Sequence, residues 1–365
     1  MSDLSLLLAA GLLLLAGIAI AVALLTAKSK DTGRSSRAIQ QRQRSAAGAN
    51  AADAATVAYT TAATADRIAD CFKLAFDVLQ IDYPISGEHA AVLDNVATAL
   101  EASVHQPSYF PRRPMLLPKL LQALNDSETT RREVVRLIME DPTLAGNVLQ
   151  RANSAFYRVT PEPVENINRA VVLLGTEGLR GLMATAILQP VFRVPRGYFE
   201  AFANITWEQA ERTSVAAEKF AKLTPGADPF VAQLLGLLGL LANIVLFRLT
   251  MDKYRDQPNV LPRADVFIAA IRAHRGHMAS LIAATWELTQ NSLEALQEQS
   301  DQIPPASMSP LGRCLYFGEL CGTLATLAAH GHCSEADALS LLKEQGMQEK
   351  PRAVVWRAAS GVAKE

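Results

Sequence analysis

The stretch Arg136 to Gly181, RLIMEDPTLAGNVLQRANSAFYRVTPEPVENINRAVVLLGTEGLRG, sets the architecture of this chain. Its apolar residues recur at helical spacing, and short polar signals cut the run into separate helices. Just upstream, Thr130 and Glu133 make a capping box ahead of the stripe Val134, Leu137 and Ile138. That helix is expected to stop near Asp141. Asp141-Pro142 restarts the chain, because Asp accepts from the exposed N–H groups and Pro tolerates the first helical position. Leu144, Val148 and Ala152 then line one face, and Asn153-Ser154 ends the helix, since Asn accepts the left-handed conformation. Gly175 and Thr176 separate a helix carrying Val171, Val172 and Leu174 from one carrying Leu179, Leu182 and Ala186. These residues build a helical layer and offer no nucleophile or metal ligand.

Composition extends the helical reading to the whole chain. Hydrophobic residues make up 50% and aromatics 6% of 365 residues, with Ala and Leu dominant, which favours packed helices over sheet. The fold class is all-α. The net charge of -1 gives no whole-chain attraction to nucleic acid. Cys71, Cys314, Cys321 and Cys333 form no CxxC pair and no disulfide framework, which fits a reducing compartment.

The N-terminus has its own character. Leu4 to Ala27 is apolar except for Ser5 and Thr26, long enough to cross a hydrocarbon core of about 30 Å. Asp3 precedes the run, and Lys28, Lys30, Arg34, Arg37, Arg42 and Arg44 come after it. That order favours an uncleaved anchor over a signal peptide and keeps the chain from Lys28 onward on the cytoplasmic side. Residues 1–28 are therefore expected to be a transmembrane anchor, and 29–65 a basic, then Ala-rich, linker or stalk. From Asp66, the residues Ile68, Cys71, Phe72, Ala75, Phe76 and Leu79 share one helical face, and Leu93, Val96, Ala97, Leu100 and Val104 repeat the pattern. Residues 66–108 thus read as a helical pair propping the stalk against the main domain. The Pro-rich run Pro107 to Pro118 marks the boundary, and 109–365 is the main helical domain with a C-terminal extension.

The DP-x-L-A motif at Asp141 to Ala145, ANS-x-F-Y at Ala152 to Tyr157, and V-x-L-L-G-x-x-x-L-R ending at Arg180 resemble the hallmarks of the HDOD (HD-related output domain) family. The likeness is clear from about Met115 to Phe192, weaker to about Leu327, and absent from the first hundred residues. It implies a multi-helix bundle used as a regulatory or interaction module. Asp141, Pro142, Asn153, Ser154, Tyr157, Gly175 and Arg180 are the motif positions, read as caps, turns or ion pairs of the fold.

The HD superfamily is named for a metal-binding His-Asp pair, in which neutral imidazole and ionised carboxylate hold a divalent ion that activates water. The matching helix here is Asp228 to Leu249, and the pair aligns with Gly239 and Leu240. Its interior offers only Gln233 and Asn243 as polar groups, so the metal-ligand pair is expected to be absent. Phe230 to Phe247 is also uncharged and near the lower length limit for a second membrane span, but Gly236, Gly239 and the two amides favour close packing in a bundle.

Other candidate ligands are sparse. His274 and His277 share a helix face without a third partner. His330, His332 and Cys333, with Cys321, could make a zinc set on paper, yet Gly331 reads first as a turn and Ser334 with Asp337 as a helix start. No cofactor is expected. The expected function is a non-enzymatic signalling or scaffold module, single-pass in a bacterial inner membrane through residues 4–27. It would act through protein contacts at the cytoplasmic face, with homo-oligomers left open. The alternatives are an HD-type phosphohydrolase or phosphodiesterase, and a small-ligand sensor.

Overall fold

The helices begin and end where local chemistry demands. A computed structural model describes residues 51–81, 84–103, 131–139, 142–153, 161–175 and 197–361, and every regular element among them is helical. The chain divides into two compact units, Met1–Tyr59 and Thr60–Glu365. Of the first, residues 51–59 are described, and they are helical. The Leu4 to Ala27 run, Thr130, Asp141, Ser154, Tyr157, Thr176 and Arg180 lie outside the described residues.

The elements are α1 (Ala51–Phe76), α2 (Glu88–Ser103), α3 (Arg131–Met139) and α4 (Pro142–Ala152), then a helical stretch at 167–175. They continue with α5 (Ala201–Ala221), α6 (Pro229–Arg255), α7 (Ala264–Thr285), α8 (Gln290–Ser300), α9 (Pro310–Ala329), α10 (Glu335–Glu344) and α11 (Glu349–Ser360).

Helix α6 is the axis of the second unit. Asp228 caps it, its Oδ1 accepting from the N–H groups of Phe230 at 2.8 Å and Val231 at 2.9 Å, and Pro229 takes the first turn. Among the described residues α6 is the one helix long and apolar enough to cross a membrane, yet 89% of its most apolar window is buried inside the protein. Helices α2, α5, α7 and α9 pack around it, so its apolar surface faces protein rather than solvent.

Helix α5 lies between α6 and α9 at very short range. Gly322 and Gly318 of α9 set their backbone against Thr213 and Ala217 of α5, and Gly236 of α6 meets Ser214 of α5. Several of the scarce aromatic side chains gather within this core. Phe76, Phe202, Phe247 and Phe267 are buried together, Phe202 and Phe247 stack at 4.5 Å, and Tyr254 stacks on Phe267 at 5.6 Å. A second apolar cluster joins Phe317, Leu320, Cys321 and Leu324 of α9 to Leu342 of α10 and to Val355, Trp356 and Ala359 of α11.

Some expected faces shift. Leu79 is 98% exposed, because α1 ends at Phe76 and Asp77 turns the chain at φ +53°. In α2 the face centres on Val92, Val96 and Leu100, with Leu93 and Ala97 at its flanks. These helices supply core, since Ala75, Phe76, Val92 and Val96 share one cluster with α6 and α7. Val171 is buried while Val172 is exposed, as adjacent residues on a helix point in different directions. Val134 and Ile138 of α3, and Leu144, Val148 and Ala152 of α4, are buried as their spacing requires.

Candidate functional site

Asn153 comes directly after α4 and is the motif residue whose work is clearest. Its Nδ2 donates to the carbonyls of Leu149 and Val164, both at 2.9 Å, and its Oδ1 accepts from Val164 N–H at 2.6 Å. One amide thus ends a helix and clamps the backbone eleven residues further along. Pro142 opens α4, and Gly175 adopts φ +66°, a conformation suited to glycine.

Position 239 of α6 faces a charged seam. The Gly239 carbonyl accepts from Nε of Arg275 on α7 at 3.1 Å, and Nη1 of Arg275 pairs with Glu319 on α9. A Cβ placed on Gly239 would lie in ordinary contact, 3.4 Å from Nη2 of Arg275, so a methyl fits there while a longer side chain would compete with the guanidinium. Leu240 points into the core at 1% exposure.

The seam continues along α5. Glu208 accepts from Nε and Nη2 of Arg212 at 3.0 and 2.8 Å, while its other oxygen pairs with Nε2 of His330 at 2.9 Å. Arg212 is fully buried and donates from Nη1 to the carbonyl of Ala359 at 2.9 Å. It therefore caps the end of α11 while neutralising Glu208. Cys71 of α1 lies within the fields of Glu319, Glu208, Asp70 and Arg275. Burial, then the nearby carboxylates, push its thiol up to about 12. A thiol so held stays protonated and is no nucleophile at neutral pH.

Two guanidinium groups and two carboxylates neutralise one another here, and the arrangement joins α5, α6, α7, α9 and α11. Sequence reasoning did not single out Arg275, Glu319, Glu208 or Arg212. A signal existed for three of them: Glu208 and Arg212 stand four apart on one helix, and Glu319 is one of two charged residues in α9.

The histidine candidates separate. His274 and His277 stay on one face of α7, where burial and then the charge of His277 lower the His274 pKa. His330 is engaged by Glu208, His332 is exposed, Cys333 bonds the Ser334 carbonyl, and Cys321 is buried in the second cluster. Among the described residues no three His, Cys, Asp or Glu side chains converge as a metal site would require. Gly331 turns at φ +78°, and Ser334 caps α10 by accepting from Asp337 N–H at 3.1 Å, both as expected. On α6, Gln233 and Asn243 are buried amides.

Residues 110–302 match the HDOD domain family. No curated protein matches significantly. Among solved structures, a candidate metal-dependent phosphohydrolase from Shewanella amazonensis SB2B is similar at 15% identity and TM-score 0.50, covering 75% of this chain and 98% of its own. An HDOD domain protein of unknown function from Geobacter sulfurreducens is similar at 18% identity and TM-score 0.48, covering 73% and 93%. A candidate signal transduction protein from Marinobacter aquaeolei VT8 is similar at 20% identity and TM-score 0.46, covering 77% and 66%. At these identities the likeness concerns the fold.

Proposed function

The chain belongs to the HDOD family, and from that premise we propose that it is a non-enzymatic signalling or scaffold module acting through protein contacts. The observation that carries the proposal is the Arg275 guanidinium against Gly239. The guanidinium holds the Gly239 carbonyl that would otherwise be free to face a cation, and the carboxylate beside it, Glu319, is already consumed in an ion pair with Arg275. Gly239 and Leu240 bring neither imidazole nor carboxylate to the place where the HD pair aligns.

The anchor belongs to the same reading. The run at residues 4–27, with bases after it, would hold the domain at the cytoplasmic face of a bacterial inner membrane. Confinement there raises the effective concentration toward membrane-bound partners. A reporter fused after Glu365 should behave as cytoplasmic, and a periplasmic signal would refute the topology.

Metal analysis and phosphodiesterase assay of the purified full chain test the central proposal. Substoichiometric metal and no turnover are expected; stoichiometric Mn, Fe or Zn with turnover overturns it. A pull-down from membranes, comparing the full chain with one lacking residues 1–28, should recover a partner only with the anchored form.

A further inference from the structure

Helix α1 lies against the charged seam without taking part in it. Every bond of the seam runs among α5, α6, α7, α9, α11 and the residue that ends α9. Cys71 of α1 nevertheless stands in the fields of Glu319, Glu208 and Arg275, and is buried. Among the described residues no ion pair leaves α1: Asp70 pairs with Arg67 at 3.5 Å and with Lys73 at 3.2 Å, both on its own helix. Its polar link to the domain is Thr64, whose hydroxyl bonds that of Tyr316 on α9, while Tyr316 donates its own proton to Gln345 at 2.6 Å.

The grip of the domain on α1 is uneven. From Ala63 to Asp70 no side chain is buried; Cys71 is the first, and Ala75 and Phe76 follow it. The Phe76 ring meets Phe202, Phe267 and Phe247 at 4.7, 5.9 and 6.3 Å, whereas Phe72, one turn earlier, is half-buried and meets the Arg272 guanidinium at 6.0 Å. One end of α1 is thus rooted in the core and the other lies shallow on it. The helix begins at Ala51 in the first compact unit and ends in the second, and residues 51–62 extend it by about 18 Å. A displacement of its start therefore acts on the shallow contacts with leverage about Phe76.

We infer that α1 is a strap that peels from the seam about a pivot at Phe76 while the rest of the domain stays folded. Peeling breaks the Thr64–Tyr316 bond and the contacts of Cys71 and Phe72, but no ion pair, and the charges beneath gain water as the helix leaves. Separating α5, α7, α9 or α11 would instead open buried charge pairs, which costs far more. Local opening follows the weakest set of contacts, and here that set belongs to α1. Lifted, the strap presents Glu319, Arg275 and Glu208 to solvent as one charged surface. The motion depends neither on what the domain binds nor on the anchor.

The test treats the full chain in detergent with methyl methanethiosulfonate, in urea concentrations below the unfolding transition, and reads each labelled thiol by peptide mass. Cys71 and Cys321 are both buried and both held at about 12, so their rates differ through the opening that exposes each. Cys71 should be labelled at least about tenfold faster than Cys321, with a weaker urea dependence, because peeling exposes less surface than unfolding. In Ala75→Cys the new thiol, one turn nearer the pivot, should be labelled more slowly than Cys71. Equal rates with equal urea dependence at Cys71 and Cys321 overturn the inference, and this arm needs no variant. A new thiol at position 75 labelled as fast as Cys71 overturns the pivot.

Discussion

Replacing Gly322 by Ala and Gly239 by Ala should move stability in opposite directions, although both sit in helix interiors. At Gly322 the new Cβ would lie 2.6 Å from the backbone N and 2.7 Å from the Cα of Thr213, and 2.2 Å from its Oγ1. The hydroxyl can rotate away, but the backbone of α5 cannot. Restoring an ordinary carbon contact of about 3.5 Å requires α5 and α9 to part by roughly 0.8 Å, a gap that forfeits a quarter to a half of the dispersion along the shared seam. Overpacking of this kind costs about 3 kcal/mol, and the better helix propensity of Ala offsets about 1 kcal/mol. The net loss is about 2 kcal/mol, roughly a 4 °C fall in Tm for a domain of this size. At Gly239 the nearest atom is Nη2 of Arg275 at 3.4 Å, the far end of a flexible side chain. There the propensity gain dominates, and Gly239→Ala should be neutral or stabilised by up to about 1 kcal/mol. Thermal unfolding of the two full-length variants, monitored by circular dichroism, decides. Shifts of the same sign, or a Gly322→Ala variant as stable as wild type, would contradict this account of the packing.

Other changes reach the remaining contacts. Asn153→Ala removes three hydrogen bonds, two to Val164 and one to Leu149, and should cost about 1–3 kcal/mol, read as a lower urea midpoint together with faster amide exchange at Val164. Arg212→Met leaves Glu208 without its buried partner and should cost about 3–5 kcal/mol, with residues 349–360 losing exchange protection before α6 does. Burial raises the thiols of Cys71 and Cys321 to about 12 and of Cys314 to about 11. Below the ordinary thiol range these groups are protonated in both folded and unfolded chains and do not make stability depend on pH. Above it the unfolded chain loses their protons first, so stability should fall by up to about 1.4 kcal/mol per pH unit per thiol; a flat profile between about pH 9 and 11 would contradict the burial. In native protein at about pH 8, a thiol reagent should label Cys333 before these three, since it alone is partly exposed.

Local order was readable because its causes are local. Pro142 and Ser334 act within a few residues of where they stand, Asn153 ends α4 through its bond to Leu149, and Leu144, Val148 and Ala152 obey a period that burial alone enforces. Leu79 was misplaced for the same reason: periodicity continues a face beyond the point where Asp77 ends the helix. The seam was illegible because its pairs span the chain. Arg275 and Glu319 are 44 residues apart, and Glu208 and His330 are 122 apart. A helical period says which face is buried but not which helix will cover it, so partners of such charges cannot be read from spacing. Gly239 and Leu240 can be read at positions 239 and 240 from the chain alone; the guanidinium of Arg275 against them cannot.

The bond from Arg212 to the Ala359 carbonyl joins residues 147 positions apart. During synthesis at about 5–20 residues per second, on the order of 10 s separates the emergence of the two. Throughout that interval the Arg212 guanidinium has only Glu208 of its own helix to donate to, so this link between α5 and α11 can form only after residues 349–360 have been made.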